Sequence, residues 1–300
     1  MKSGASDAME RKSHMDTFGA SALILFAITL AFNQVVIKVT NGGFSPVFLV
    51  AIRSVIAGLA VAGWMAWRGK PFEYKWSVAW PGILIGVIFS IEFISLYIAL
   101  DLTDVSRVSV IFYSMPVWLA LAAHVLLPGE RLTFVRLIGL GLAMTGVAVA
   151  LLDRQSGAAN IWGDILALMA AIGWAAIALL LRITPLSKTN PETQLMWQLI
   201  VSAIVLSAIT PWFGEILRDP AIIHVLGLLF QAIGVVAIGY LVWFWMLSIY
   251  PTSSVASFSF LSPVFSVLFG WWILGEKVGP SIWIALALVA FGLFLINRKA

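Results

Sequence analysis

The sequence predicts an all-α polytopic membrane protein, and three observations lead to this fold class. First, the 300-residue chain is 61% apolar and only 11% charged, against about a quarter charged in an ordinary globular domain. A soluble protein of this composition would expose apolar patches that aggregate, and the chain is too apolar to be disordered. Second, ten apolar stretches approach the roughly 20 residues that a helix needs to cross a bilayer. Third, the chain repeats internally.

The ten predicted spans follow one another along the chain with short connections, none of which is long enough to hold a soluble domain. A polar N-terminal tail, residues 1–16, precedes them, and the apolar stretch after it is too long for the core of a signal peptide. The spans lie near residues 17–39, 46–67, 78–98, 105–126, 132–151, 161–182, 192–212, 222–248, 252–274 and 280–297.

The distribution of basic residues predicts the orientation of these spans. With the N-terminus inside, twelve of the 18 Lys and Arg residues fall in inner segments and five in outer segments, while Arg53 lies within a span. Because inner loops carry the excess of Lys and Arg, both termini are expected in the cytoplasm. We expect a multi-pass protein of the cell inner (plasma) membrane.

The internal repeat has a nearly constant offset of 144–147 residues. Pro116 in span four matches Pro263 in span nine, and the turn Gly129-Glu130-Arg131 matches Gly275-Glu276-Lys277. Because each half holds five spans, an odd number, the second half enters the membrane upside down. Inverted repeats are typical of secondary transporters, whose site lies near the midplane between the halves. The predicted organisation is a cytoplasmic tail (1–16), a first half (17–155) and an inverted second half (156–300) around a central cavity.

Ten spans in two halves, each with a Pro-containing span, a Gly-Glu-Arg/Lys turn and a Gly-rich last span, resemble the EamA-type transporters of the drug/metabolite transporter superfamily. The resemblance covers essentially the whole chain after residue 16, and the sequence is most similar to the aromatic amino acid exporters (YddG-type). It implies export of small organic metabolites, with aromatic or hydrophobic amino acids as the expected substrates. Transport would proceed by alternating access, as uniport or coupled to protons.

Polar residues within the spans are the first candidates for the site, because charge inside a bilayer is costly. Arg53 and Glu92 both lie about 10 Å from the same membrane face at the 1.5 Å rise per helical residue, and Asn33 lies at nearly the same depth. One interpretation is that Glu92 holds a substrate ammonium group or carries a coupling proton. The other is that Arg53 and Glu92 form a structural ion pair between two spans.

Four further residues are candidate substrate contacts. Gln231 lies on one side of span eight together with glycines that leave room for a ligand, and Tyr97, Tyr113 and Trp174 would supply aromatic walls. For each of them, ordinary packing is the alternative interpretation.

The matched prolines predict a mechanical role. Pro116 and Pro263 each remove one backbone hydrogen bond inside a span, which favours a kink. They are candidate hinges that open opposite sides of the bundle in turn, and static kinks are the alternative.

Several classes of function lack their motif. The sequence has no G-x-x-x-x-G-K-[ST] phosphate loop, no H-E-x-x-H metal motif, no G-x-S-x-G nucleophile turn and no cysteine, so no enzyme, cofactor, metal or ATPase subunit is predicted. Nucleic acid is not an expected partner. The expected partners are a small-molecule substrate and the lipid bilayer, for a monomer or weak homo-oligomer. A passive channel-like facilitator, an exporter of nucleosides or drugs, and a structural or sensory protein remain open alternatives.

Overall fold

The computed structural model describes residues 16–127, 132–153, 159–250, 258 and 260–297. Within these residues the chain is helical and forms no strand beyond an isolated bridge between Phe44 and Leu217. Short 3₁₀ turns occupy Pro185–Lys188 and Thr210–Trp212, and a π-helix occupies Phe230–Gly239. The α-helices are α1 (Thr17–Asn41), α2 (Pro46–Trp67), α3 (Trp76–Leu102), α4 (Val105–Phe112), α5 (Met115–Leu126), α6 (Phe134–Leu152), α7 (Ile161–Ile183), α8 (Pro191–Ile209), α9 (Ile222–Leu229), α10 (Tyr240–Ile249), α11 (Leu261–Ile273) and α12 (Pro280–Asn297).

Nine helical segments of the described chain are long and apolar enough to cross a membrane, with α4 and α5 together forming one of them. A tenth, α11, is a shorter apolar helix. The predicted all-α fold is therefore confirmed, and the protein is a multi-pass membrane protein. The predicted start of span nine, near residue 252, lies outside the described residues.

Polar residues begin several of these helices by capping them. Asp16 accepts a hydrogen bond of 2.8 Å from Gly19 N ahead of α1, and Asn190 accepts one of 2.7 Å from Thr193 N ahead of α8. Asn160 caps α7 in the same way. The first N–H groups of a helix have no partner inside the helix and find none in hydrocarbon, so these caps stabilise the ends of the spans.

The fourth span is interrupted, which is a sharper change than the predicted kink. The helix α4 ends at Phe112, and Pro116 lies in the first turn of α5, where it has no N–H for the carbonyl four residues earlier. Side-chain hydrogen bonds replace part of the lost backbone bonding at this interruption. Ser114 Oγ donates to the Ile111 carbonyl at 2.6 Å, and Trp118 Nε1 donates to Ser114 Oγ at 3.1 Å. Pro263 likewise lies in the first turn of α11.

The closest helix packing joins the two halves of the chain. The helix α2 packs on α8, α3 on α7, α1 on α11 and α6 on α12. At the last of these contacts, a Cβ atom on Gly139 would lie 2.7 Å from the Gly292 carbonyl oxygen, and one on Gly146 would lie 2.7 Å from that of Ala285. Glycine at these positions lets the two backbones touch, as small residues do in membrane helix pairs. The core therefore lies between the halves.

Candidate functional site

Arg53 occupies the centre of the site. Its side chain is 1% exposed, and its guanidinium carbon lies over three aromatic rings of α3. These rings belong to Phe89, Phe93 and Tyr97, which share one helix face because they are four residues apart. Their centroids are 5.9, 3.9 and 5.3 Å from the guanidinium carbon. Cation–π attraction to the rings offsets part of the cost of burying this charge.

A chain of hydrogen bonds leads from Arg53 into the second half. Arg53 Nη1 donates to Tyr97 Oη at 3.2 Å, and the Tyr97 hydroxyl donates to Gln231 Oε1. Gln231 Nε2 then donates to Thr40 Oγ1 at 2.9 Å. We call Arg53, Tyr97, Gln231 and Thr40 the Arg53 layer. Two predicted substrate contacts, Tyr97 and Gln231, thus lie together with Arg53.

Glu92 lies beside this layer on α3, with 1% exposure. It faces α7, because a Cβ atom on Gly173 would lie 3.1 Å from Glu92 Cβ. Arg53 acts on the Glu92 carboxylate electrostatically, yet the two side chains form no direct ion pair within 4.0 Å. The structure therefore places Arg53 and Glu92 near one another, with the guanidinium on aromatic rings.

Several buried polar atoms have no hydrogen-bond partner among the described residues. They include Nε and Nη2 of Arg53 and, on α1, Asn33 Oδ1. An unsatisfied buried polar group costs about 1–3 kcal/mol, so these are atoms at which a polar ligand would remove a cost.

The two remaining predicted contacts lie apart from the Arg53 layer. Tyr113 stands where α4 ends, and its hydroxyl faces Gln34, Ser262 and Ser266. Trp174 is half-buried on α7, next to Gly173, and no described hydrogen bond or ring contact joins it to Arg53.

The structure adds a buried ion pair that sequence reasoning missed, at the end of the bundle where α1 ends and α4 begins. We call this the Asn41 end. Arg107 Nε and Nη2 donate to the two Asp164 carboxylate oxygens at 2.6 and 2.8 Å. Arg107 Nη1 also donates to the Asp153 carbonyl at 2.7 Å. The pair joins α4 to α7, and therefore the two halves.

Glu276, from the repeated turn, caps α4 at this same end. Its carboxylate accepts hydrogen bonds from Val105 N at 2.6 Å and from Ser106 N at 2.9 Å. Burial raises the pKa of Glu276 above its ordinary value, and these two hydrogen bonds oppose the shift. A negative charge at a helix N-terminus is stabilised by the helix dipole. A Cβ atom on Gly270 would overlap this carboxylate, so a larger residue there would force Glu276 to shift away from its position at the start of α4.

A cavity of about 230 Å³ lies between α2 and α8, and its lining includes Ile52, Val55 and Thr210. Its lining is mainly apolar and contains none of the predicted site residues. The polar groups described above therefore mark the candidate site, and this cavity does not.

The sequence profile of the EamA-like transporter family matches residues 17–152 and matches again over residues 161–298. The chain belongs to this family. The predicted EamA membership is thereby confirmed, and the two matched ranges each cover five spans of this EamA-like transporter.

Two of its relatives are transporters by name. It is 28% identical over 264 residues to the uncharacterized transporter YvbV of Bacillus subtilis, covering 85% of this chain and 83% of that one. It is 26% identical over 273 residues to an S-adenosylmethionine/S-adenosylhomocysteine transporter of Chlamydia muridarum, covering 85% and 84%. A crystal structure with 21% identity shares the fold at a TM-score of 0.67, covering 92% of this chain and 96% of that chain.

Proposed function

We propose that this EamA-like transporter carries aromatic or hydrophobic α-amino acids out of the cell across the plasma membrane. One observation carries the proposal: a buried cation, a buried carboxylate and aromatic rings meet between the two halves. Arg53 supplies the cation and Glu92 the carboxyl group, with no direct pair between them, and Phe89 and Phe93 lie beside Arg53. An amino acid zwitterion with an apolar side chain complements such a set of groups. S-adenosylmethionine, which also carries an α-amino acid group, is the second candidate because of the chlamydial relative.

In this proposal Glu92 faces the substrate ammonium group, or it carries a proton that is exchanged for the substrate. Gln231 and Tyr97 hold the site together across the halves, since their hydrogen bond joins the π-helix to α3. Asn33, Tyr113 and Trp174 line the path on either side of the Arg53 layer.

Transport proceeds by alternating access, with both termini in the cytoplasm and the Asn41 end outside. In this proposal the contacts that close the outer end are the Arg107–Asp164 pair and the Glu276 cap. Pro116 and Pro263, each at a helix start, are the points at which span four and span nine bend. Opening outward requires the outer contacts to separate.

Counterflow in proteoliposomes tests the proposal. Vesicles containing the purified protein are loaded with unlabelled phenylalanine, methionine, leucine or S-adenosylmethionine, and the labelled compound is supplied outside, first without and then with a pH gradient. Transient accumulation without a gradient identifies a carrier, and stimulation by the gradient identifies proton coupling. Equilibration without accumulation would identify a passive facilitator. No flux of any amino acid would refute the amino acid proposal and direct the search to nucleosides and drugs.

A further inference from the structure

We propose that the Nε–Nη2 edge of Arg53 is the binding site for the substrate carboxylate. This inference rests on the proposed function and assigns the part of the substrate that enters the Arg53 layer. The side chain is 1% exposed, and Nε and Nη2 have no hydrogen-bond partner among the described residues. A buried guanidinium with two unused donors is costly, and an acceptor that arrives with the substrate removes this cost.

Arg107, which is buried like Arg53, gives an example of a ligand for the Nε–Nη2 edge of a guanidinium. Arg107 uses Nε and Nη2 to bind both oxygens of Asp164, while its Nη1 donates to a backbone carbonyl. Arg53 uses Nη1 in the same way, to reach the Tyr97 hydroxyl, and leaves the matching edge open. The planar fork of arginine fits a carboxylate at two points, which a lysine does not.

The local charge favours a single carboxylate over a doubly charged anion. Arg53 is the cation of the Arg53 layer, and the other members of that layer, Tyr97, Gln231 and Thr40, carry no charge. One carboxylate neutralises this cation, whereas a phosphate dianion would leave an uncompensated charge in low dielectric.

The aromatic rings define the neighbouring subsite. Phe89 and Phe93 have centroids 4.5 Å apart and lie on the face of α3 against which the Arg53 guanidinium packs. A substrate whose carboxylate reaches Arg53 therefore places its next groups beside apolar rings. The predicted class is an aromatic or aliphatic carboxylate, with an α-ammonium group directed to Glu92.

Three ligands distinguish the contribution of the carboxylate to binding from that of the amine. They are phenylalanine, phenylalanine methyl ester and 3-phenylpropanoate. Their affinities are measured by thermal stabilisation of the purified protein in detergent and by inhibition of counterflow. Loss of hydrogen bonds to a charged group, about 1.5–3 kcal/mol, corresponds to about 10- to 100-fold. We therefore expect the ester to bind about 10- to 100-fold more weakly than phenylalanine, and phenylpropanoate to stabilise the protein.

Two substitutions and a control assign the effect to Arg53. Arg53→Gln should bind acid and ester equally, and Arg53→Lys should keep part of the preference because it keeps the charge. Arg68→Gln is the matched control, since Arg68 follows the same helix but is exposed, and it should behave as the wild type.

The outcomes distinguish this inference from the proposed function. If the wild type binds ester and acid equally, or binds neither, the carboxylate assignment is overturned; this comparison does not depend on any variant being stable. If Arg53→Gln retains the wild-type preference for the acid, the carboxylate site lies elsewhere and the assignment is also overturned. If phenylpropanoate stabilises the protein through Arg53 while no amino acid is transported, the carboxylate site stands and the amino acid proposal fails.

Discussion

Arg107 and Asp164 form a two-point ion pair, with N–O distances of 2.6 and 2.8 Å, in a place where their side chains are only 2% and 1% exposed. Because Arg107 belongs to α4 and Asp164 to α7, the pair connects the two halves at the Asn41 end. Its burial distinguishes it from the pair of Arg218 and Asp101, whose side chains are 40% and 25% exposed.

This difference predicts unequal costs of breaking the two pairs. Asp164→Asn removes the carboxylate that neutralises the buried Arg107 charge, so we expect a loss of about 3–5 kcal/mol in stability. Asp101→Asn is the control and should cost less than about 1 kcal/mol, because water screens an exposed pair. Thermal and denaturant unfolding in detergent measures both. Equal losses in the two variants would contradict the assignment of the buried pair as the stronger contact.

The raised pKa of Glu276 predicts a pH dependence. Because the pKa is higher in the folded protein than its ordinary value of 4.5, the folded state binds this proton more tightly than the unfolded chain. The stability from this group is greatest below about pH 4.5 and is lost as the pH rises through the raised pKa. Glu276→Gln removes the titration, so the melting temperature of the wild type should fall relative to that of the variant as pH rises. Parallel curves between pH 4 and 8 would refute this prediction. Burial also raises the pKa of Asp104, and the Asp104 charge contributes to the raised pKa of Glu276, so the measured difference includes the interaction between these two carboxyl groups.

The Tyr97 hydroxyl joins the two halves through its hydrogen bond to Gln231, so removing it measures how much this link contributes to stability. Tyr97→Phe removes the donor to Gln231 Oε1 and the acceptor of the Arg53 Nη1 hydrogen bond. We expect a loss of about 1–3 kcal/mol, the cost of an unsatisfied buried group, together with reduced counterflow. Tyr74→Phe is the control, because Tyr74 is 77% exposed. If the two variants unfold at the same temperature, the hydrogen bond chain contributes nothing to stability.

Glu92→Gln separates the interpretations of the buried carboxylate. If Glu92 carries the coupling proton, the variant keeps counterflow but loses its stimulation by a pH gradient. If Glu92 faces the substrate ammonium, the apparent affinity for amino acids falls about tenfold or more, with or without a gradient. Glu215→Gln, at an exposed position, should match the wild type. Loss of folded protein in Glu92→Gln alone would support the structural alternative, in which Glu92 only holds helices together.

Two glycines of α6 give a matched test of helix packing. A Cβ atom on Gly139 would lie 2.7 Å from the Gly292 carbonyl, whereas one on Gly141 meets nothing within 4 Å. We expect Gly139→Ala to destabilise the protein by about 1–3 kcal/mol through overpacking. Gly141→Ala should instead be neutral or stabilising by up to about 1 kcal/mol, because alanine favours the helix. Similar melting temperatures of the two variants would show that α6 and α12 separate easily.

The sequence predicted the spans better than the site because the bilayer fixes the length of each apolar run. The predicted span 46–67 agrees with α2, Pro46–Trp67. The π-helix Phe230–Gly239 was missed, since no residue type specifies that hydrogen-bond pattern over ten residues. π-helical segments often occur at functional sites, and this one carries Gln231.

Charges near the span ends were the main omission. The charge distribution places Arg107 among the five outer basic residues, whereas it is the third residue of α4, and Asp164 is not among the predicted site residues. Both signals were present in the sequence, but pairing across the halves depends on helix packing that hydropathy does not encode. The spacing of Phe89, Phe93 and Tyr97 was a usable signal for the aromatic face beside Arg53.

The contact of Gly139 with Gly292 constrains how the two halves can move. Where one main chain rests on another, no side chain is available to bend aside. A slide of one helical turn along the seam would bring Leu288 or Ile296 of α12 to the position of Gly292, where a Cβ atom has no room against the opposite backbone. We therefore expect α6 and α12 to move as one rigid unit. The two helices would resist sliding along one another but would permit the other spans to rotate about them. In that case the α6–α12 pair, at which the two repeats meet, is the fixed axis of the conformational change.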